Sequence, residues 1–451
     1  MKNTKVLSIY QIFVRDYAPD GTLQNVTDDL ERIKSMGFDF VYLLPIHPIS
    51  LTGRKGSIGS PYAIQDYDAV DEALGTKEDF ARLIEKAHSL GLRVMMDIVI
   101  HHTGRDHRWV SEHPEYYHHD EEGHIINAVA DWSDVYDLNY ACEALREELI
   151  RMLCGWTRFG VDGFRCDVAS LVPLDFWQDA RHAVAEIKPD FVWLAESVEP
   201  GFVSYMRSRG LTGLGDGEVS TVYDLLYPYD IWSYMDDAFH GKNLDEFTRM
   251  INFSLSQYAP GMTKIWCLEN HDRPRIAAIL KEAQEQSNIA LLNWTAWSFL
   301  NYGAAFMYFG QEWKETNLPT LFEKEIISNP LSNENSEASA VVQTPGAAGI
   351  SGASEFVAFV TKLNALKHEY HTDVRTVRHY ENPQIMEFIE SGAKDDYYGA
   401  FNVKALKGKL KVNLPDGEYR NLITSQTITV KDGTAGPDAF PMFIKLEHKC
   451  S

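Results

Sequence analysis

Four short stretches of the chain end in side chains able to hold charge, move protons or attack carbon. They read Met96-Asp97-Ile98-Val99-Ile100-His101-His102, Gly163-Phe164-Arg165-Cys166-Asp167, Trp193-Leu194-Ala195-Glu196 and Leu268-Glu269-Asn270-His271-Asp272. Each closes an apolar or β-branched run, the signature of a buried strand, and carries its charged groups toward the end of that run. Arg165 and Asp167 are two apart, so on a strand they share a face. An arginine beside a carboxylate favours the ionised form, which suits a nucleophile. Glu196 follows three apolar residues, and partial burial raises a carboxyl toward the range of a general acid. Asp272, with His271 beside it, adds a third carboxylate able to bind hydroxyl groups.

One ionised and one protonated carboxyl is the division that a retaining glycosidase requires. Singly, each group has a plainer role. Arg165–Asp167 is also a salt bridge closing a barrel top, Glu196 a cap on the next helix, and Asp272 a turn residue before Pro274. Three separate strand ends carrying the right groups together favour the catalytic reading.

The elements that must position these groups follow a βα rhythm. Strand patterns lie at 6–14, 40–46, 92–100, 161–168, 191–195, 221–226, 264–268 and 304–309. Helical patterns lie between them, at 26–36 before Gly37, 76–90 before Gly91, 143–159, 174–187, 244–256, 275–286 and 289–299. Eight such units predict a closed (β/α)8 barrel, in which reactive residues project from the C-terminal ends of the strands. The polar, histidine-rich stretch 101–140 has no barrel pattern and is expected to be a small inserted domain. The barrel is expected over 1–100 and 141–371. Residues 326–354, rich in Ser, Asn, Ala and Gly, read as a mobile loop before a helix at 356–367. Short alternating runs from 372 to 451, with Pro-Asp-Gly and Lys-Asp-Gly turns, predict a C-terminal antiparallel β-sandwich.

Composition narrows the partner. A formal charge of -23 over 451 residues excludes a phosphate-binding surface and hence nucleic acid. A neutral, polar ligand such as a sugar fits, and the 12% aromatic content supplies flat faces for pyranose rings. Five cysteines without CxxC spacing (Cys142, Cys154, Cys166, Cys267, Cys450) read as free thiols. No apolar run is long enough to span a bilayer, no A-x-A signal-cleavage pattern is present, and the expected location is the cytoplasm. The histidines at 101, 102, 107, 113, 118, 119 and 124 lack HExxH or Cys/His spacing, so a solvated loop is expected rather than a zinc site.

Taken together, 97–102, 163–167, 194–196 and 269–272 resemble the four signature segments of the α-amylase family of glycoside hydrolases, and Ser60-Pro61-Tyr62 resembles its sugar-stacking segment. The resemblance spans nearly the whole chain. It implies Asp167 as nucleophile, Glu196 as acid/base and Asp272 as the residue holding O2 and O3. It further implies Tyr62, His102, Arg165 and His271 as sugar contacts, with Asp97 holding the base of the subsite. It departs from many amylases at His101, where an asparagine binds structural calcium, and at Leu171, where a histidine does so; calcium prefers oxygen ligands, and no metal or cofactor is expected. Ser170 and Leu171 also replace a Lys-His pair used toward the leaving group. Val168-Ala169 and Asp137-Leu138-Asn139 are closer to neopullulanase-like and α-glucosidase-like members, and no extra domain is expected before the barrel. The resemblance implies cleavage of α-1,4-glucans or maltooligosaccharides. A 4-α-glucanotransferase, an α-glucosidase or a catalytically silent glucan-binding barrel are the alternatives, and the sequence does not set the oligomeric state.

Overall fold

The computed structural model describes residues 3–129, 131–284, 286–330 and 352–447. The strands in chain order are β1 (Ser8–Ile12), β2 (Phe40–Leu43), β3 (Arg93–Ile98), β4 (His102–Gly104), β5 (Val135–Asp137), β6 (Gly163–Cys166), β7 (Val192–Ala195), β8 (Leu225–Leu226), β9 (Thr263–Trp266) and β10 (Ala304–Tyr308). Eight of these close a parallel barrel in the order β1-β10-β9-β8-β7-β6-β3-β2. Helices between strands cover it outside, so its strands are buried on both faces and read as near-continuous apolar runs. β4 and β5 pair antiparallel within the excursion after β3.

Local chemistry sets the element ends. The helix Lys77–Ser89 starts at Thr76, whose hydroxyl accepts the Asp79 N–H while the Asp79 carboxylate accepts the Thr76 N–H. Gly37 and Gly91, read as helix stops, have φ of +89° and +70°, a region that glycine enters without a Cβ clash. The eighth-strand count holds, but with shorter elements than the sequence suggests. The first strand begins only at Ser8, after a 3-10 turn at Thr4–Val6. The expected strand at 221–226 is reduced to Leu225–Leu226, because Asp216–Val219 is a short helix and the chain turns just after it. The helices Pro200–Ser208 and Trp232–Phe239 escaped the periodicity reading, as did the four-residue helices Val14–Tyr17, Trp109–Glu112 and Asp216–Val219; each is at most nine residues, too short for a clear pattern.

The helix Ala353–Tyr370 follows, and residues 331–351, most of the expected mobile loop, lie outside the described residues. The chain then forms β11 (Val374–His379), β12 (Met386–Gly392), β13 (Asp395–Phe401), β14 (Leu410–Lys411), β15 (Gly417–Arg420), β16 (Thr427–Val430), β17 (Thr434–Ala435) and β18 (Met442–Glu447). β11-β12-β13-β18 is a four-stranded antiparallel sheet, and β14–β17 and β15–β16 are two-stranded ribbons. Leu410, Val412, Ile428 and Val430 pack on Tyr398, Met442 and Ile444 as a second core. The opposite face of the sheet joins the main core through Phe388, Phe401 and Phe443. Fully buried Lys367 ties helix to barrel by donating to the carbonyls of Phe299 (2.8 Å) and Gly303 (2.6 Å). Among the described residues no helix is long and apolar enough to cross a membrane.

Candidate active site

The barrel register brings the sequence-predicted groups together. Asp97 on β3 lies directly opposite Arg165 on β6, so the two side chains project side by side. Cys166 lies opposite Ala195, which sets Asp167 and Glu196 level with each other one residue beyond the pair. Arg165 is fully buried and is shared by three carboxylates. Its Nη1 donates to Asp97 (3.0 and 3.2 Å) and to Asp167 Oδ1 (2.8 Å), and its Nη2 lies 3.0 Å from Glu196 Oε1. The rings of Tyr62 and Tyr227 pack on the guanidinium at 5.7 and 5.8 Å.

A second chain of contacts runs around the opposite wall. Asp97 Oδ2 accepts from the hydroxyls of Tyr42 (2.5 Å) and Tyr62 (3.0 Å). The Tyr62 hydroxyl is 2.6 Å from His271 Nε2, and the two rings stack at 5.6 Å and 13°. Gln11 Nε2 donates to His271 Nδ1 at 2.9 Å, leaving Nε2 as the proton-bearing nitrogen, 3.0 Å from Asp272 Oδ2. Asp272 stands at the mouth, its side chain 36% exposed, where a ligand can reach it. Its loop is held below by buried Glu269, which accepts from Arg275 (2.7 Å) and from the Ile276 N–H (2.8 Å).

Val168 follows Asp167 with φ +36° and ψ +45°. A β-branched residue in the left-handed region is a backbone outlier, the kind of strain that gathers at functional sites and costs about 1–3 kcal/mol. The turn it makes aims its N–H at Glu196 Oε2, 2.8 Å away.

Electrostatics separate these acids. Burial and the facing Glu196 push Asp167 well above the usual carboxylate range, against the pull of Arg165. Burial also raises Glu196, again against Arg165. The expectation that Arg165 favours the ionised form of Asp167 therefore gives half the balance: burial and the facing Glu196 oppose it. Burial opposes charge on Asp272 too, but His271, Arg165 and Arg273 outweigh it and hold this carboxyl at about 2. Burial lowers His102 to about 3, so its ring is neutral.

The predicted residues Asp97, His102, Arg165, Asp167, Glu196, His271, Asp272 and Tyr62 thus line one end of the barrel. His102 joins through its neighbours: its ring packs against Trp132 at 5.5 Å, and its Nδ1 lies 3.2 Å from His101 Nδ1. Sequence reasoning missed Tyr42, Gln11, Tyr227 and the Val168 N–H. Gln11 carried a signal, as the one amide within the apolar strand Ser-Ile-Tyr-Gln-Ile.

Two groups of described residues could hold a metal ion, buried His101, His102 and Asp137, and exposed Asp120, Glu122 and His124. The first lies where the family resemblance puts calcium, and its donors do not fit that ion. Two are imidazole nitrogens, Asp137 Oδ2 already accepts the Ala128 N–H at 2.6 Å, and Leu171 has no side-chain donor.

The α-amylase catalytic-domain profile matches residues 8–132 and 117–362, and the bacterial α-amylase C-terminal domain profile matches residues 376–444. The chain belongs to the α-amylase family, as a glycoside hydrolase of that type. Among solved structures it is similar to an α-amylase from Lactobacillus plantarum, with TM-score 0.86 and 34% identity over 98% of this chain and 99% of that one. It is also similar to a noncanonic maltogenic α-amylase from Thermotoga neapolitana, with TM-score 0.79 and 29% identity over 99% and 100% of the two chains. Among curated proteins, an α-1,4-glucan:maltose-1-phosphate maltosyltransferase from Arcanobacterium haemolyticum is 37% identical over 197 residues, 39% of this chain and 28% of the relative. The match therefore covers well under half of that relative.

Proposed function

We propose that the chain hydrolyses α-1,4-linked glucans or maltooligosaccharides with retention, by double displacement. Asp167 attacks the anomeric carbon while Glu196 gives its proton to the departing glycosidic oxygen, leaving a glucosyl ester on Asp167. Glu196, now a carboxylate, takes a proton from water as that water displaces Asp167 and restores the starting state. The observation that carries this reading is the single buried guanidinium straddled by Asp167 and Glu196, which holds the two carboxyls side by side. Asp272, ionised and exposed at the mouth, binds the sugar hydroxyls; Tyr62 covers the ring face; His102, His271 and Arg165 complete the subsite; and Asp97 anchors its floor.

We assign the barrel to 1–100 and 141–371, the inserted domain to 101–140 and the C-terminal domain to 372–451. No metal is required, and the location is cytoplasmic, consistent with free Cys142, Cys154, Cys166 and Cys267. A second reading, transfer of the glucosyl group to a sugar hydroxyl, is favoured by the maltosyltransferase relative. Product analysis on maltoheptaose tests both, with wild type and Glu196→Gln compared with and without chelator. Shorter products from the wild type alone, insensitive to chelator, are expected. Longer products move the reading to transfer, and turnover surviving in Glu196→Gln refutes the acid/base assignment.

A further inference from the structure

Strand pairing at the root of the excursion gathers a set of donors around His101. The β4–β5 register puts His102 directly opposite Asp137, so their side chains share one face of the pair. His101, one residue earlier, is tied to the same ribbon, its carbonyl accepting the Leu138 N–H at 2.9 Å. All three side chains are buried, and one donor atom from each lies within 4.8 Å of the others. His101 Nδ1 is 3.2 Å from His102 Nδ1 and 3.7 Å from Asp137 Oδ1. The other Asp137 oxygen accepts the Ala128 N–H at 2.6 Å, which fixes the carboxylate in this direction.

Protons alone leave this cluster unsatisfied. Burial lowers both imidazoles, which favours neutral rings. A proton shared between the two Nδ1 atoms then does nothing for Asp137 Oδ1, a buried oxygen with no hydrogen-bond partner among the described residues. A cation between the three atoms would meet all of them at once. Zinc takes imidazole and carboxylate donors at about 2.0–2.2 Å, which sets neighbouring donors about 3.3 Å apart in a tetrahedral shell. The observed separations of 3.2 and 3.7 Å come close to that, and the donor types that turn calcium away suit zinc. A cleft of about 520 Å³, lined by His101, His118 and Asp137, gives entry and leaves a fourth position to water or to His118. The two cations in its lining are engaged elsewhere, Arg146 with Asp175 and Asp179 and Arg209 with the Ala128 carbonyl.

We propose that His101 Nδ1, His102 Nδ1 and Asp137 Oδ1 form a zinc site that clamps the root of the excursion. The ion is structural, and no step of sugar cleavage passes through it. Its ligands meet by strand pairing, so no Cys/His spacing along the chain announces them. The test uses the full chain stripped with a chelator and titrated with Zn²⁺ against a chromophoric competitor, with thermal unfolding beside it. Wild type is expected to take up one equivalent and to unfold at a higher temperature with Zn²⁺, while Ca²⁺ leaves the midpoint in place. His101→Asn and Asp137→Asn are expected to bind on the order of a hundredfold more weakly. His124→Ala, which breaks the exposed Asp120, Glu122 and His124 group, is expected to bind as wild type does. No zinc uptake by wild type, equal uptake by His101→Asn, loss of uptake in His124→Ala, or a midpoint raised by Ca²⁺ overturns the assignment. Co²⁺ reads the ligand shell of wild type without any substitution, should the variants fail to fold. Intense visible bands of a four- or five-coordinate ion support the site, and the weak bands of a six-coordinate ion overturn it.

Discussion

Replacing Arg165 by glutamine keeps hydrogen-bonding capacity and removes the one cation shared by Asp97, Asp167 and Glu196. All of these groups are buried, so water cannot stand in for the lost charge. Breaking a buried ion pair from one side costs about 3–5 kcal/mol, chiefly because the remaining charges lose their partner. Arg165 lowers both Asp167 and Glu196, so without it both rise further above the usual carboxylate range. Carboxyls raised in the fold add stability that is complete below the ordinary carboxylate range and is lost as pH rises through the folded values. The deficit of Arg165→Gln against wild type must therefore be smallest near pH 4 and grow toward pH 8. Both limbs of the kcat/KM profile must move to higher pH, because the same two groups govern them. The assays are thermal unfolding across that range and a pH–rate profile on maltoheptaose. A stability deficit that is constant or shrinks with pH, or limbs that stay in place, would refute this account of the site's charge.

Asp272→Asn should lower kcat/KM on maltooligosaccharides at least a hundredfold, about 3 kcal/mol of transition-state binding, with little change in thermal midpoint; a modest loss in KM alone would count against its placement at the sugar hydroxyls. Gln11→Leu removes the donor that fixes the His271 tautomer, and kcat/KM should fall about tenfold, in line with about 1–1.5 kcal/mol for one hydrogen bond; unchanged kinetics would show that the contact does not position the ring. Val168→Gly relieves about 1–3 kcal/mol of strain but adds about 0.5–1 kcal/mol of unfolded-chain entropy and loses side-chain packing. Its stability measured by denaturant unfolding should lie within about 1 kcal/mol of wild type, and a loss well beyond that would mean that the conformation is not strained.

The barrel was legible because its strands are buried on both faces. The Val94–Met96 and Ala304–Met307 runs are wholly apolar, so nothing confuses the pattern. Leu225–Leu226 was the poorest reading, since two paired residues make no periodicity and the neighbouring apolar residues Val219, Val222 and Tyr223 are buried by a helical turn and a loop instead. Asp97 and Glu196 were legible for the same reason as the strands, each being the first charge after an apolar run, and Asp167 and Asp272 follow within three residues of such a charge. What stayed hidden were contacts that exist only once the sheet closes. Gln11 meets His271 across 260 positions of sequence, and Tyr42 meets Asp97 across 55. The reach of Arg165 to Glu196 as well as Asp167 was hidden too, and it changed the charge balance read from the Arg165–Asp167 spacing.

The turn at Val168 gives the site a kind of inheritance. Its N–H belongs to the peptide that follows Asp167, yet it orients Glu196, 28 residues on. The backbone of one segment thus carries the aim of a side chain from another, and the aim is set during folding, before any sugar arrives. In a hybrid joined within 169–195 the two halves come from different parents, and the aim of Glu196 holds only where both parents share the turn at 168. Segments 163–168 and 192–196 should therefore travel together in any shuffled or transplanted barrel, as a single unit written in two places.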